Sequence, residues 1–564
     1  MSSLDQVSAG RLMDEARAIA RWRREAGTED ERRAAAYVEG RLASAGLAAR
    51  TLTHDAYISV PGEARLRVVA PAAREVPCLT HSMGASTGPE GDSAEIVDGG
   101  TGSPAELAAA GAAGRYVLVD RASPSERAAK QAVCNAAAAG ARGVVFVGGR
   151  LAQEMCVSPV WGNPSERTVH DLVGLPLLSV AREDGAALAA LCAEGRVEIH
   201  AAAAVHTGWT RTPIVIGDLA PGHPEAEPGA YVLLSGHLDA WYRGAMDNAG
   251  ANAAMLEIAR LLASGRSSLR RGLRVAFWSG HSHGGYSSSA WYADHHWFDL
   301  EQHCVLHVNV DVIGAAGADR LVTRATGEAA ALAEWAMVEA TGERAPVDRV
   351  SRSNDESFWG IGVPSLFGEV SRQPDGTFGW WLHTAEDTPD KLEAARLVRD
   401  TQIYLAAVER LLTDPVLPLD YASCAAAVRE HLASLAEAGG GRFDLSPALA
   451  AAADLEARCR RLADVAATGS GGARARAVNA CLRDLGRMLV PALHQGAGRF
   501  AHDGALSPAW LPTLGAVPRL AAAAADSDEA KRLLVDLVRA RNALVYALRQ
   551  ACRRVESFLA GAAS

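Results

Sequence analysis

Apolar positions in the first 55 residues recur every three or four residues, which predicts two amphipathic helices. The second, in "TEDERRAAAYVEGRLASAG", starts at Thr28 with Glu31 three residues on, the signature of a capping box, and Gly46 ends it. From about 56 to 205 the pattern changes to short valine-rich runs between glycines and prolines: "RYVLVDR", "GVVFVGG" and "PLLSVAR". Helical "SERAAKQAVCNAAAAGA" separates the first two, so a strand, helix, strand unit is expected there. No dense group of His, Asp or Glu occurs in this stretch, and it reads as an inserted non-catalytic module.

From about 210 to 412 strand and helix patterns alternate, the sign of a mostly parallel sheet with helices on its faces. "YVLLSG", "LRVAFWSG", "CVLHVNVD" and "VPSLFGE" are the expected strands, "NAGANAAMLEIARLLASG" is a helix closed by Gly265, and "TPDKLEAARLVRDTQIYLAAVERLL" is a long closing helix. After "DPVLPLD" almost everything is helix signal. Its apolar stripe has no sheet of its own to cover, so it must pack as a bundle, on the catalytic domain or on a second subunit. The expected organisation is N-terminal helices at 1–55, an insert at 56–205, an α/β catalytic domain at 206–412 and a helical domain at 413–564.

Composition narrows the function classes. A chain of 564 residues exceeds one hydrophobic core and predicts roughly three or four domains or large subdomains. The formal net charge of −10 excludes the basic footprint of a general nucleic-acid binder. Lys occurs only at 130, 391 and 531, which with the abundant Ala is read as genome composition. The charged N-terminus has no apolar core of the kind an export signal needs, and no run approaches the roughly 18 apolar residues of a membrane span, so a cytoplasmic location off the membrane is expected. The nine Cys are odd in number and scattered without a CxxC pair, which argues against disulfides and a Cys-based zinc site.

In an open parallel sheet, ligands bind beyond the carboxyl ends of the strands. His237 and Asp239 stand there in "HLDA", Asp247 and Asn248 precede the next helix, Asp311 ends "CVLHVNV", and His383 and Thr384 lie in "WLHTAEDTPD". A single His at a strand end is commonly structural, and Asp247 alone could be a helix N-cap. Two His and two Asp at one end of one sheet suit zinc or a similar divalent ion, and a shared carboxylate can bridge two ions. Asp239, two residues beyond His237, is a candidate for holding that imidazole in the correct tautomer.

The segments "SGHLDAWYRGAMDNAGANAAMLEIARLL", "HVNVDVIG" and "HTAEDTPDKL" resemble, in order and spacing, the H-x-D, D-N-x-x-G, strand-end Asp and H-T-x-x-D-T segments of the M28 metallopeptidases, the co-catalytic zinc aminopeptidase and glutamate carboxypeptidase group. The resemblance implies a mixed, mainly parallel sheet sandwiched by helices, an insert similar to a protease-associated domain, and a helical tail similar to a dimerisation domain, hence a homodimer. It implies that His237, Asp247 and Asp311 hold one metal, and that Asp247 bridges to a second that also has His383.

The family pattern continues with E-E-x-G-L-x-G-S, whose first Glu is the general base and whose second is a ligand of the second metal. This chain has neither Glu in "FWSGHSHGGYSSSAWYAD". Counting forward from the strand puts His281 and Ser282 at those positions; counting back from "YSSSAWYAD" puts Ser282 and His283 there. Imidazole can replace a carboxylate ligand, which makes His283 a candidate ligand of the second metal, and His281, with an unperturbed pKa of about 6.5, a candidate base. Ser282 does neither job well. A neutral ligand leaves the metal cluster more positive, which favours anionic substrates or intermediates. One or two Zn ions are expected, and extra imidazole ligation is compatible with Fe, Ni or Cu.

Asp355 and Glu356, in "SRSNDESFWGIGVPSLFGE", are further candidates for approaching the metals, and Trp380 and Trp381 for lining the pocket; His295, His296, His303 and His307 are assigned no role. The expected activity is metal-dependent hydrolysis of an amide bond in a small peptide or N-acylated amino acid. The alternatives are an inactive, receptor-type binding protein and a metalloenzyme of lyase or cyclisation chemistry.

Overall fold

The computed structural model describes residues 3–120, 126–467 and 472–563. Arg121, at the end of "RYVLVDR", and Ser125, at the start of the next helix, lie outside them. Two helices, Ala9–Ala20 and Glu29–Ser44, open the chain. Thr28 caps the second through Glu31 N, but the Glu31 carboxylate accepts from Gly27 N, so the box closes one residue early.

The described strands form one 14-stranded sheet and a separate two-stranded ribbon. In the catalytic half, Tyr231–His237 runs parallel to Gly272–Trp278 on one side and to Cys304–Val310 on the other, and Ser365–Gly368 continues the parallel order beyond. Every residue of Tyr231–His237 and of Cys304–Val310 is buried, as expected of near-continuous apolar runs covered by helices on both faces. The other half is the parallel set Tyr116–Asp120, Gly143–Val147 and Leu177–Val180, with the helix Glu126–Ala138 between the first two.

Two strands of 23 residues each, Ala48–Ala70 and Val197–Leu219, pair antiparallel and join the halves. Val197–Leu219 pairs with Asp92–Asp98 at its start and with Gly272–Trp278 at its end. The boundaries expected near 56 and 205 therefore fall inside continuous strands, not in linkers. Pro61 and Gly62 disguise this in the sequence: the register shifts between Pro61 and Ala64, an irregularity that absorbs residues a regular ladder excludes.

The long closing helix begins at Ala394 rather than at Thr388, because Pro389–Lys391 forms a separate single turn. Beyond it stand the helices Tyr421–Ala438, Ser446–Ala467, Gly472–His494 and Asp528–Ala563. Leu432, Leu455, Leu485 and Leu548 from these helices share one apolar core with Leu234, Met255 and Val308 of the catalytic half, so the bundle packs on its own chain. Among the described residues no helix is long and apolar enough to cross a membrane.

Candidate metal centre

Four predicted residues meet beyond the strand ends. His237 ends its strand with Nδ1 2.7 Å from the backbone carbonyl of Asp239. A carbonyl only accepts, so Nδ1 carries a proton and Nε2 is the nitrogen turned to the cluster. That Nε2 is 3.0 Å from Asp247 Oδ1 and 3.2 Å from Asp311 Oδ1. His383 repeats the arrangement, its Nδ1 2.9 Å from the carbonyl of Glu154 and its Nε2 3.0 Å from Asp247 Oδ2. One carboxylate thus faces an imidazole with each oxygen.

The local sequence explains the placement. Asn248 donates to Val310 O and accepts from Val312 N, tying the Asp247 loop to the strand end that carries Asp311. Asn252 donates to His237 O and Asn248 O. Asp387 receives Met246 N at 2.9 Å and Asp247 N at 3.0 Å on its two oxygens, which fixes the backbone of the bridging residue. Beneath the loop the fully buried Arg24 donates to the carbonyls of Ile19, Leu238, Arg243 and Gly244.

Burial opposes charge on His237, but the carboxylates of Asp247 and Asp311 outweigh it and hold its pKa well above that of a free imidazole. Burial likewise opposes ionisation of Asp247, and the two imidazoles overcome it and hold the carboxyl well below its ordinary range. For Asp311 burial wins and the pKa rises, while burial pushes Asp387 up to about 7. Positive charge, on the imidazoles or on a bound cation, is what reconciles the buried carboxylates. Two Nε2 atoms and two carboxylates converging in this way fit a divalent ion of the zinc type, which would displace the Nε2 protons, with backbone carbonyls holding both Nδ1–H groups.

The replaced motif divides between two environments. His281 stacks on His237, the ring centroids 3.9 Å apart and the planes at 13°, and its Nδ1 is 2.7 Å from Asp355 Oδ2. His237, His281 and Asp311 each offer a ligand atom within 4.8 Å of the others. Ser282 is buried and its backbone N donates to Asp239 Oδ2. His283 stands against Trp241, the ring centroids 4.3 Å apart, with neither nitrogen hydrogen-bonded among the described residues and Asp239 Oδ2 3.6 Å from Nδ1.

Asp239 holds His237 through its backbone oxygen, not its carboxylate. The carboxylate is turned to cap the N–H groups of His281 and Ser282, and stays 3.9 Å from His237 Nδ1. Glu356 accepts from Ser353 N and Asn354 N and serves the loop rather than the cluster.

The cluster lies at the floor of a cavity of about 1400 Å³. Trp380 and Trp381 line it. The insert, read from sequence as non-catalytic, also supplies wall: Glu126, Lys130 and Arg150 face the cavity, and Glu126 Oε1 comes within 3.9 Å of His383 Nδ1. Sequence reasoning missed Glu126, Arg24, Asn354 and the role of Asp387. Asp387 sits within "HTAEDT" and Lys130 is one of three lysines, but Arg24 and Glu126 carry no local signal. With its nitrogen turned toward acceptors, the Asn354 amide donates to Asp311 Oδ2 at 3.2 Å.

A sheet of this kind with imidazoles and carboxylates gathered at its strand ends defines the class of metallohydrolases with an open α/β core. Residues 215–408 match the model of Peptidase family M28, and the chain carries a domain of that family. The probable glutamate carboxypeptidase VP8 of Zea mays is 26% identical over 501 residues, covering 73% of this chain and 68% of that one. Among solved structures, the zinc aminopeptidase BSAP of Bacillus subtilis superposes with a TM-score of 0.55 at 22% identity, covering 72% of this chain and 95% of its own. A peptidase M28 precursor from Shewanella amazonensis SB2B gives a TM-score of 0.58 at 20% identity, covering 74% and 98%. At these identities the structures establish a shared fold.

Proposed function

We propose that the protein is a metal-dependent hydrolase that cleaves an amide bond in a small peptide or N-acylated amino acid. The observation that carries this reading is the carboxylate of Asp247 held between two imidazoles, each with Nδ1 committed to a backbone carbonyl and Nε2 aimed inward, under a cavity of peptide size. His237, Asp247, Asp311 and His383 would hold the metal, one ion or two. A bound divalent ion would polarise the scissile carbonyl and make water acidic.

His281 serves as the base. Its ring stacks within 13° of parallel on that of His237, so the two Nε2 atoms lie in separate, nearly parallel planes, and His237 is the one that would hold the metal. His281 therefore stands one ring thickness from the ligand His237, where its free Nε2 accepts a proton from the attacking water. Burial and His237 oppose a charge on His281, and Asp355 overcomes them, raising its pKa. Trp380 and Trp381 give the substrate an apolar wall, and Glu126 with Lys130 and Arg150 gives it a charged one.

We also propose a homodimer through the C-terminal helices, supported by Val535, Val538 and Tyr546, which are exposed on the last helix; light scattering that reads one chain mass would remove it. The hydrolase reading is tested with protein reconstituted with zinc and offered dipeptides, aminoacyl amides and N-acyl amino acids. Release of a free amine that a chelator abolishes is the expected result. Bound metal without turnover of any amide would contradict it.

A further inference from the structure

We infer that Asp355 is the positioning residue of the base: it fixes the tautomer and ring plane of His281, so that an Asp–His pair stands in for the base glutamate, the first of the E-E motif. The inference rests on the hydrolase reading for its chemistry and on separate geometry for its structure.

Asp355 is fully buried, with φ at 44°, a strained backbone for a residue other than glycine. Its Oδ2 receives His281 Nδ1 at 2.7 Å, and its Oδ1 has no hydrogen-bond partner among the described residues. Among the described residues no Lys or Arg forms an ion pair with it. A buried carboxylate costs free energy unless something compensates it, and the Nδ1–H of His281 is the compensation the geometry offers.

The neighbouring residues fix it from both sides. Tyr286 OH donates to Ser353 O at 2.6 Å, Trp161 Nε1 donates to Ser357 Oγ at 2.9 Å, and the Glu356 carboxylate takes the N–H groups of Ser353 and Asn354. On the other partner, Asp239 holds His281 N, His237 covers one face of the ring, and Tyr286 meets it edge-on at 4.8 Å and 88°. Both members of the pair are therefore rigid before substrate binds, which is what orientation of a base requires.

The protons balance. Nδ1–H stays on Asp355 throughout. Nε2 takes a proton from water as the water oxygen bonds to the carbonyl carbon, and returns it to the nitrogen as the C–N bond breaks. One water is consumed, an acid and an amine leave, and the pair ends as it began. Asp355 touches no substrate in this scheme; it acts through His281.

The test is nitrogen NMR of the full-length, zinc-loaded protein carrying isotopically labelled histidine, with His281→Gln identifying the resonances. Wild type is expected to show His281 protonated at Nδ1 and bare at Nε2. Asp355→Asn, which can present an N–H to Nδ1, should shift the proton to Nε2 and lower kcat roughly 10²–10⁴-fold, the usual worth of a positioned base, with KM and metal content unchanged. Asp355→Glu should recover part of kcat. An Nε2–H tautomer in wild type, or unchanged kcat and tautomer in Asp355→Asn, would overturn the inference. If no amide is turned over, the hydrolase reading falls, while the wild-type tautomer still decides the role of Asp355.

Discussion

The two halves of the long sheet have the same kind of parallel strand ends and use them differently. In the catalytic half those ends carry His237 and Asp311, with Asp247 and His383 brought in on adjoining loops. In the insert half the ends lead into Gly148, Gly149, Arg150 and Arg182, which line the same cavity but contribute no donor to the cluster. Topology creates the crevice in both, and the residue type at the strand end decides whether it gathers imidazoles and carboxylates or forms a wall.

The largest difference should come from the catalytic half. Asp247→Asn removes the carboxylate shared by both imidazoles, and should abolish tight metal binding and reduce turnover to background, read by elemental analysis and amine release on one preparation. His281→Gln should keep the metal and lose roughly 10²–10⁴-fold in kcat, since only the base is removed. In the insert half, Glu126→Gln should change KM by a few-fold with kcat nearly intact. A kcat loss as large as that of His281→Gln would move Glu126 from wall to reaction centre and break the comparison.

The smallest effect concerns the loop behind the site. Burial pushes the Glu356 pKa up to about 8, above the roughly 4.3 of an unfolded chain. Between those values the folded state binds the proton more tightly, so the group's contribution to stability is full at low pH and is lost as pH rises through 8. Glu356→Gln can still accept the N–H groups of Ser353 and Asn354 and should remove that slope. Its thermal midpoint relative to wild type should rise between pH 5 and pH 8; a constant difference would place the Glu356 pKa outside that window.

Sequence alone indicated the buried parallel strands, the alternation with helices and the imidazoles and carboxylates that meet at the strand ends, because buried parallel strands are written as continuous apolar runs with polar residues at one end. The two 23-residue strands escaped because Pro61 and Gly62 in one, and Gly208 and Pro213 in the other, interrupt the alternation that would reveal them. The pair His281 and His283 shows the other limit. Two residues apart, they look equivalent as ligands in the sequence. One stacks on His237 and the other packs on Trp241, a difference that arises from the short helix His281–Gly284 and the capping of its N–H groups by Asp239. Arg24 and Glu126 reach the centre from distant segments, and only tertiary structure shows it.

Metal content per chain, measured on protein purified without chelator or nickel, tests the centre most directly when wild type is compared with His383→Ala and His283→Ala. The account predicts bound divalent metal in wild type, less metal or weaker binding in His383→Ala, and wild-type content in His283→Ala. Loss of metal in His283→Ala with none in His383→Ala would contradict it.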